Sequence, residues 1–341
     1  MSQRILTWTM VMMLGALPAF GQSKTGTTIG QFLLIEPSAR IAAMGNAGVS
    51  LSDGLDAVYY NPAVIGLLQR YNVEFTHSAW LADITYDYVA ASIPAGRWGN
   101  FVASVTALNS GDIDVRTVSQ PLGTGERYSV SDVAIGLGYG RQITDRFSAG
   151  AQVTYVQETI WNSSLSTVVL GFGTLYQVSE RGLRIGASLA NFGTQGRYGG
   201  RDLRIVYDGD PGRYGDNGTL PGDIYTDAFA VPTLFRVGVG LPVRLGPQAN
   251  LKLAVDAFHP SDNTEGMSAG AELEYARRFA LRLGWQDAFQ EDVDHHHTEL
   301  WLTAGGGVRG KVDIYGYQVD YAWADHRRLG GTHRVTLGLL F

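Results

Sequence analysis

The chain has 341 residues, with 26 Lys and Arg against 32 Asp and Glu, a formal net charge of -6 and no cysteine. That balance argues against a nucleic-acid partner, and the lack of thiols excludes disulfides, thiolate nucleophiles and Cys-ligated zinc. Charged residues make up 17% of the chain and 44 residues are Gly, a bias that suits a membrane barrel with an apolar outside and small residues inside.

The first residues read as a signal peptide, 1–21. Arg4 gives a positive start, Ile5 to Leu17 is an apolar core, and Ala19-Phe20-Gly21 supplies small residues for cleavage before Gln22. The apolar run is shorter than the roughly 20 residues of a spanning helix. No later segment is a long unbroken apolar run. An exported chain of this kind crosses a membrane with strands.

Residues 22–70 do not alternate, so they are not part of a barrel wall. The expectation is an N-terminal hatch, or plug, inside the lumen. Pro37 to Met44 is helix-compatible, with Gly45 as a stop. Asp53 is placed to cap a second short helix running through Tyr59. Asn61 followed by Pro62 fits an N-cap with proline at the first helical position. Arg40 is the hatch charge expected to matter, through a pair with an inward carboxylate such as Glu272 or Glu274.

From about Tyr71 to Phe341 the dominant period is two. Phe147, Ala149, Ala151, Val153 and Tyr155 alternate with Ser148, Gly150, Gln152 and Thr154, and Phe279, Leu281, Leu283 and Trp285 alternate with Ala280, Arg282, Gly284 and Gln286. Strand cores fall at 71–79, 84–94, 98–108, 128–140, 145–160, 163–178, 181–192, 231–243, 249–258, 266–277, 278–288, 298–309, 311–323 and 331–341. The connections alternate between short turns that carry Arg and a set holding every long loop, of which 192–230 is the longest. Short periplasmic turns and longer extracellular loops are the habit of outer-membrane barrels. The parity puts both chain ends on the periplasmic side.

The fold class expected is therefore all-β: a transmembrane antiparallel β-barrel of about 14 strands in the bacterial outer membrane, in contact with its lipid. A soluble sandwich also alternates, but with shorter strands and without outward aromatics such as Tyr155, Trp285, Tyr315 and Tyr321 at a membrane interface. The register turns Arg184, Arg236, Lys252, Asp256, Glu272, Glu274, Arg282, Glu299, Asp320 and Arg334 inward, where unpaired charge is costly. The last residues, Thr332 to Phe341, end on one apolar face and resemble a barrel-assembly signal.

The stretch FLLIEPSARIAAMGNAGVSLSDGLDAVYYNPA contains Pro37-Ser38-Ala39-Arg40, Met44-Gly45, Gly48-Val49-Ser50 and Asn61-Pro62-Ala63. With Val231 to Gly238, it resembles the PorV/PorQ family within the wider FadL-like outer-membrane barrels. The resemblance implies an N-terminal hatch plugging a fourteen-stranded barrel, with Pro37, Ser38, Ala39, Arg40, Met44, Gly45, Asn61, Pro62 and Ala63 as the hatch motif. It implies a non-enzymatic accessory or shuttle of type IX secretion and surface attachment, whose partners are secretion components or secreted cargo. The alternative is a channel for long-chain fatty acids or other hydrophobic small molecules. The lumen charges Arg184, Arg236, Glu272, Glu274 and Arg282 lean towards the accessory role, because a fatty-acid channel would want an apolar lumen with a basic clamp.

No catalytic residue, cofactor or metal is expected. No Gly-x-Ser-x-Gly motif occurs. His295-His296-His297 follows three acids, but adjacent side chains of an extended chain point opposite ways, so it reads as a solvated loop. Asp208, Asp210, Asp216 and Asn217 depart from the EF-hand pattern and read as a turn-rich loop. That loop, 192–230, is the expected extracellular partner surface, because long loops in compact folds tend to be functional.

Overall fold

A computed structural model of the chain describes residues 26–341, apart from 181, 211, 214, 216–218, 289–300 and 327–329. The signal peptide, Asp216, Asn217, His295 to His297 and Glu299 lie outside the described residues.

The period-two segments form fourteen wall strands closed into one antiparallel barrel. In chain order they are β1 (Asn72–Ala79), β2 (Thr85–Pro94), β3 (Asn100–Asn109), β4 (Val130–Thr144), β5 (Phe147–Ile160), β6 (Ser163–Gln177) and β7 (Arg184–Gly193). Then follow β8 (Leu234–Arg244), β9 (Ala249–Pro260), β10 (Gly266–Tyr275), β11 (Phe279–Ala288), β12 (Trp301–Val312), β13 (Tyr315–His326) and β14 (Gly330–Leu340). Each strand pairs with its sequence neighbour. β1 closes the ring on β14, from Asn72 opposite Leu340 to Ala79 opposite His333. The ladder leaves no free edge, which a bilayer requires because lipid cannot hydrogen-bond an open strand.

The burial pattern is the reverse of a soluble protein's. Leu137, Leu281, Leu283 and Leu337 are exposed, whereas Thr76, Ser78, Ser268, Thr303 and Thr336 are buried. An exposed apolar belt of this extent has lipid as its solvent. The chain is thus an outer-membrane barrel. Tyr155, Tyr315 and Tyr321 face outward and are exposed. The terminal Phe341 donates its N–H to the Tyr71 carbonyl at 2.9 Å and packs edge-on against Tyr315, with ring centroids 5.6 Å apart.

β1 begins, and the chain ends, at the short-turn end. The first described residues lie at the opposite end. Ile29 donates to the Ala230 carbonyl at 3.1 Å, at the base of the long loop. The described chain therefore starts at the long-loop end and threads down the lumen before entering the wall at Asn72. Strand parity counts only wall crossings and cannot register a segment that runs down the inside.

The long loop between β7 and β8 is not structureless. Its stem is pinned by a bridge between Gly196 and Phe229, and Arg204–Tyr207 pairs with Leu220–Asp223 as an outlying hairpin.

The lumen has two different sides. Facing β2 to β6, the inner segment buries Phe32, Leu33, Leu55, Val58, Val64 and Ile65 against Tyr86, Tyr88, Val102, Val156, Leu165 and Val169. Facing β8 to β14 it meets Arg236, Lys252, Asp256, Glu272, Arg282, Asp320 and Arg334. The charged lumen expected from sequence is found on this side only. β2 and β3 carry apolar residues on both faces, with Tyr86 and Val102 inward and Val89 and Phe101 outward.

Candidate functional site

The inner segment is held together by short local structures. Helix α1 (Ala39–Ala42) starts at Ser38, whose Oγ accepts from the Ile41 N–H at 3.1 Å. Pro37 precedes this cap, and proline disfavours helix in the residue before it. Met44 follows the helix, and Gly45 then turns the chain at φ 67. A second turn spans Leu55–Ala57, capped by Gly54 and not by Asp53. Asp53 instead spends its carboxylate on Arg40 and Lys252, which offer charge-assisted bonds stronger than a cap to a neutral N–H.

The third turn, Pro62–Leu67, follows the expected capping logic: the Asn61 side chain accepts from the Ala63 N–H at 3.0 Å, with Pro62 at the first position. Asn61 is fully buried, and its amide also donates to the Val49 and Thr174 carbonyls at 2.8 and 3.0 Å. One side chain thus caps a turn, ties two parts of the inner segment and fastens them to β6. Replacing Asn61 with Ala is expected to cost about 2–4 kcal/mol, a lost cap plus two orphaned carbonyls. Denaturant unfolding in detergent measures this; a loss below about 1 kcal/mol, a cap alone, would contradict the assignment.

The wall provides room where the inner segment's backbone comes close. A Cβ on Gly150 would strike the Pro62 carbonyl, one on Gly173 the Asn61 side chain, and one on Gly270 or Gly284 the backbone at Met44 and Gly45. Polar wall residues reach back: Ser148 Oγ donates to the Ala63 carbonyl at 2.6 Å, and Thr303 Oγ1 accepts from Gly45 N–H at 2.9 Å. Glycine inside a strand marks close approach of another backbone, which gives the glycine enrichment a location.

Arg40 is the centre of the charged side. Its Nε and Nη2 both reach Glu272, at 2.8 and 2.9 Å. It also pairs with Asp53 at 3.1 Å and Asp56 at 3.5 Å. Glu272 takes Arg282 Nε at 2.7 Å and Lys252 Nζ at 2.9 Å, and Arg282 continues to Asp320 at 2.6 Å. Of the two expected acidic partners for Arg40, Glu272 is the one used. Glu274 lies 3.7 Å from Lys252. This network fastens the inner segment to β9, β10, β11 and β13.

Arg236 sits apart, nearer the long-loop end, 3.8 Å from Glu36 and 5.5 Å above the Tyr59 and Tyr60 rings. Burial pushes the Tyr59 hydroxyl up to about 12, so it stays protonated and donates to the Leu33 carbonyl at 2.6 Å. Arg184 lies at the opposite end, beside the mouth formed by the short turns. The expected lumen charges therefore fall into three places: Glu272, Glu274 and Arg282 at mid-lumen, Arg236 above, and Arg184 below.

A cavity of about 440 Å³ lies between the inner segment and the wall towards the long-loop end. Leu34, Ile35, Trp80, Leu81, Leu234 and Phe258 give it apolar surface, and Arg236 and Arg334 lie on its lining beside the carboxylates of Glu36, Asp256 and Asp262. Arg334 is buried, stands 5.0 Å from the Trp80 ring, and its Nε has no acceptor among the described residues. Sequence reasoning placed Arg334 inward but could not find this cavity, because its walls come from the inner segment, β8, β9, β13 and β14 together. The segment above it is latched by Asp262, on the connection between β9 and β10, and by Glu158 of β5. Thr28 and Gln31 donate to Asp262 at 2.7 and 2.5 Å, and Gly30 N–H to Glu158. Tyr198, on the long loop, donates to the same Glu158 at 2.9 Å. Burial and the Glu158 charge raise its phenol above the ordinary range, so it remains a donor.

Among the described residues no group of three or more His, Cys, Asp or Glu is arranged to hold a metal ion. No protein-family model and no curated protein matches the chain. Solved structures do. The Pseudomonas putida toluene transporter TodX is similar at 13% identity and a TM-score of 0.55, over 89% of this chain and 96% of that one. The CymD monoaromatic hydrocarbon channel matches at 11% identity and 0.56, over 90% and 97%. A Pseudomonas aeruginosa FadL homologue matches at 10% identity and 0.53, over 89% and 98%. At these identities the likeness establishes a common fold, that of the FadL-like barrel.

Proposed function

We propose that the chain is an outer-membrane channel for hydrophobic or amphipathic small molecules, with the inner segment as its hatch. The observation that carries this reading is the upper cavity. It is bounded on one side by the hatch, carries apolar surface from Leu34, Ile35, Trp80 and Phe258, and includes a buried arginine whose Nε has no acceptor among the described residues. Pockets of about 300–1,000 Å³ with an apolar lining and few polar groups are the usual form of a small-molecule site. The likeness to hydrocarbon and FadL-type channels supports the same reading at the level of fold. The charged side of the lumen, which favoured an accessory role from sequence, is spent on holding the hatch.

Trp80 lies in the cavity wall and provides the readout. Its fluorescence is expected to change saturably when toluene or a long-chain fatty acid is titrated into the purified barrel. Arg334→Leu is expected to weaken an anionic amphiphile about tenfold or more while leaving toluene nearly unchanged, since only the former uses the guanidinium. Absence of saturable binding by both probes would sink the proposal.

A second reading, a type IX secretion accessory, rests on the sequence resemblance of the hatch motif and on the long loop. That loop exposes Val206, Tyr207 and Tyr225, an apolar surface for a protein partner. Crosslinking in intact cells separates the two readings: recovery of secretion components supports the second, and an empty capture with bound lipid in the barrel supports the first.

A further inference from the structure

The chain is acidic overall, with a net charge of -6, yet its short-turn end is basic. Arg97, Arg146, Arg184, Arg244, Arg278 and Lys311 lie on or beside those turns, against Asp145, Glu180 and Asp313. The loops at the other end mix acids such as Asp83, Asp112, Asp114, Asp202 and Asp208 with Arg116, Arg127, Arg197, Arg201, Arg204 and Arg213. The excess of cations at the short turns favours anions at that mouth.

That mouth contains a cavity of about 690 Å³. Its floor is the exit of the inner segment, Gly66 to Gln69, and its walls include Asn100, Ser148 and Gln177. Arg97, Arg141, Arg146 and Arg184 line it against a single lining carboxylate, Asp145. Two of these cations have modest existing engagements. Arg146 is 3.7 Å from Glu180, and both side chains are largely exposed, so solvent screens the pair. Arg97 stacks 5.0 Å above the Trp98 ring, which leaves the edge of its guanidinium open.

We propose that this vestibule docks an acidic segment of a periplasmic protein. Arginine forks match carboxylates two bonds at a time, and clustered arginines are a recurring reader of acidic peptides. The space exceeds what a lone anion fills, since one water occupies about 30 Å³. Asn100, Ser148 and Gln177 also belong to the lumen face, so the cavity opens to the aqueous periplasm and not to the lipid belt where headgroups lie. A peptide seated there touches Gly66 to Gln69, the point where the inner segment joins the wall, and Ser52 of the same segment. This inference does not depend on what the upper cavity takes.

The full-length purified barrel, in zwitterionic detergent, is titrated with fluorescein-labelled hexaglutamate and followed by anisotropy. Saturable binding that weakens with salt is expected, with none for hexalysine. The charge-reversed variant Arg97→Glu/Arg146→Glu/Arg184→Glu is expected to bind about tenfold or more weakly, with its heat-modifiable gel migration intact. If that variant fails to fold, Arg97→Glu alone, on an exposed turn, is expected to weaken binding measurably. The proposal is overturned if the reversed variant binds as well as the parent. It is also overturned if inorganic phosphate displaces the peptide completely, which would mean a simple anion site. Complete displacement by phosphatidylglycerol vesicles would overturn it in favour of a lipid surface.

Discussion

Glu272→Gln is expected to destabilise the folded barrel by about 3–5 kcal/mol, whereas Glu274→Gln, two residues along the same face, should change it by less than about 1 kcal/mol. The difference follows from what each carboxylate holds. Glu272 is fully buried and accepts from Arg40 twice, Arg282 once and Lys252 once, all between 2.7 and 2.9 Å. An amide there keeps the shape but withdraws the charge, and its own N–H donors would face three cations. Removing one partner of a buried ion pair leaves the other uncompensated, which costs more than the intact pair contributes. Glu274 makes only the 3.7 Å approach to Lys252, and that lysine keeps Asp53 at 2.6 Å. Unfolding in denaturant, followed by gel migration without heating, reads both variants. Equal losses would show that the network is not what fastens the inner segment. Limited proteolysis gives a second readout, since a loosened Arg40 should expose the 39–57 region to cleavage before the wall unfolds.

The contrast between these two glutamates marks where sequence reading stops. Their inward orientation was legible, because period-two alternation sorts a strand into lumen and lipid faces without knowing its neighbours. The strand count and the alternation of short and long connections came from the same signal. What alternation does not supply is register. In the sheet Glu272 stands opposite Lys252 on one side and Arg282 on the other, while Glu274 stands opposite Asn250 and Ala280. A cationic neighbour on both sides makes Glu272 the seat for Arg40.

Similar reasons explain the other differences. Asp53 had the spacing of a helix cap, but cations from helix α1 and from β9 reach it first, and long-range charge overrides a local preference. The apolar side of the lumen was hidden because β2 and β3 carry apolar residues on both faces, and nothing local says that Tyr86 and Val102 meet Phe32 or Ile65. The residues of the inner segment were visible; its fastening was not, since its ties run to wall partners far along the chain, from Asn100 for Ile65 to Glu272 for Arg40, or to a wall glycine.

Gly284→Val is expected to have the largest effect on the seating of the inner segment. Gly284 lies on the lumen face of β11, and an added Cβ would collide with Gly45 N, the Met44 carbonyl carbon and, at 2.5 Å, Thr303 Oγ1. The first two are backbone atoms of the inner segment, which no side-chain rotation can move aside. Gly45 already occupies the left-handed region at φ 67, so the loop there has little freedom to bend away. Overpacking a deformable core costs about 1–3 kcal/mol; against two backbones the strain is relieved only by lifting the segment from the wall. The barrel itself need not fail, because its fourteen strands close through their own ladder. If the proposed channel reading is right, the expected result is a barrel that keeps its heat-modifiable migration and conducts more in a planar bilayer than the parent does. Gly306→Val is the matched control. It lies on the same sheet, one strand away, with the Ala280 carbonyl oxygen at 3.4 Å as the nearest atom and lipid beyond, and it should leave both readouts unchanged. A Gly284→Val barrel as closed and as stable as the parent would mean that the inner segment is not seated on β11 in the membrane, and the hatch reading would fall with it.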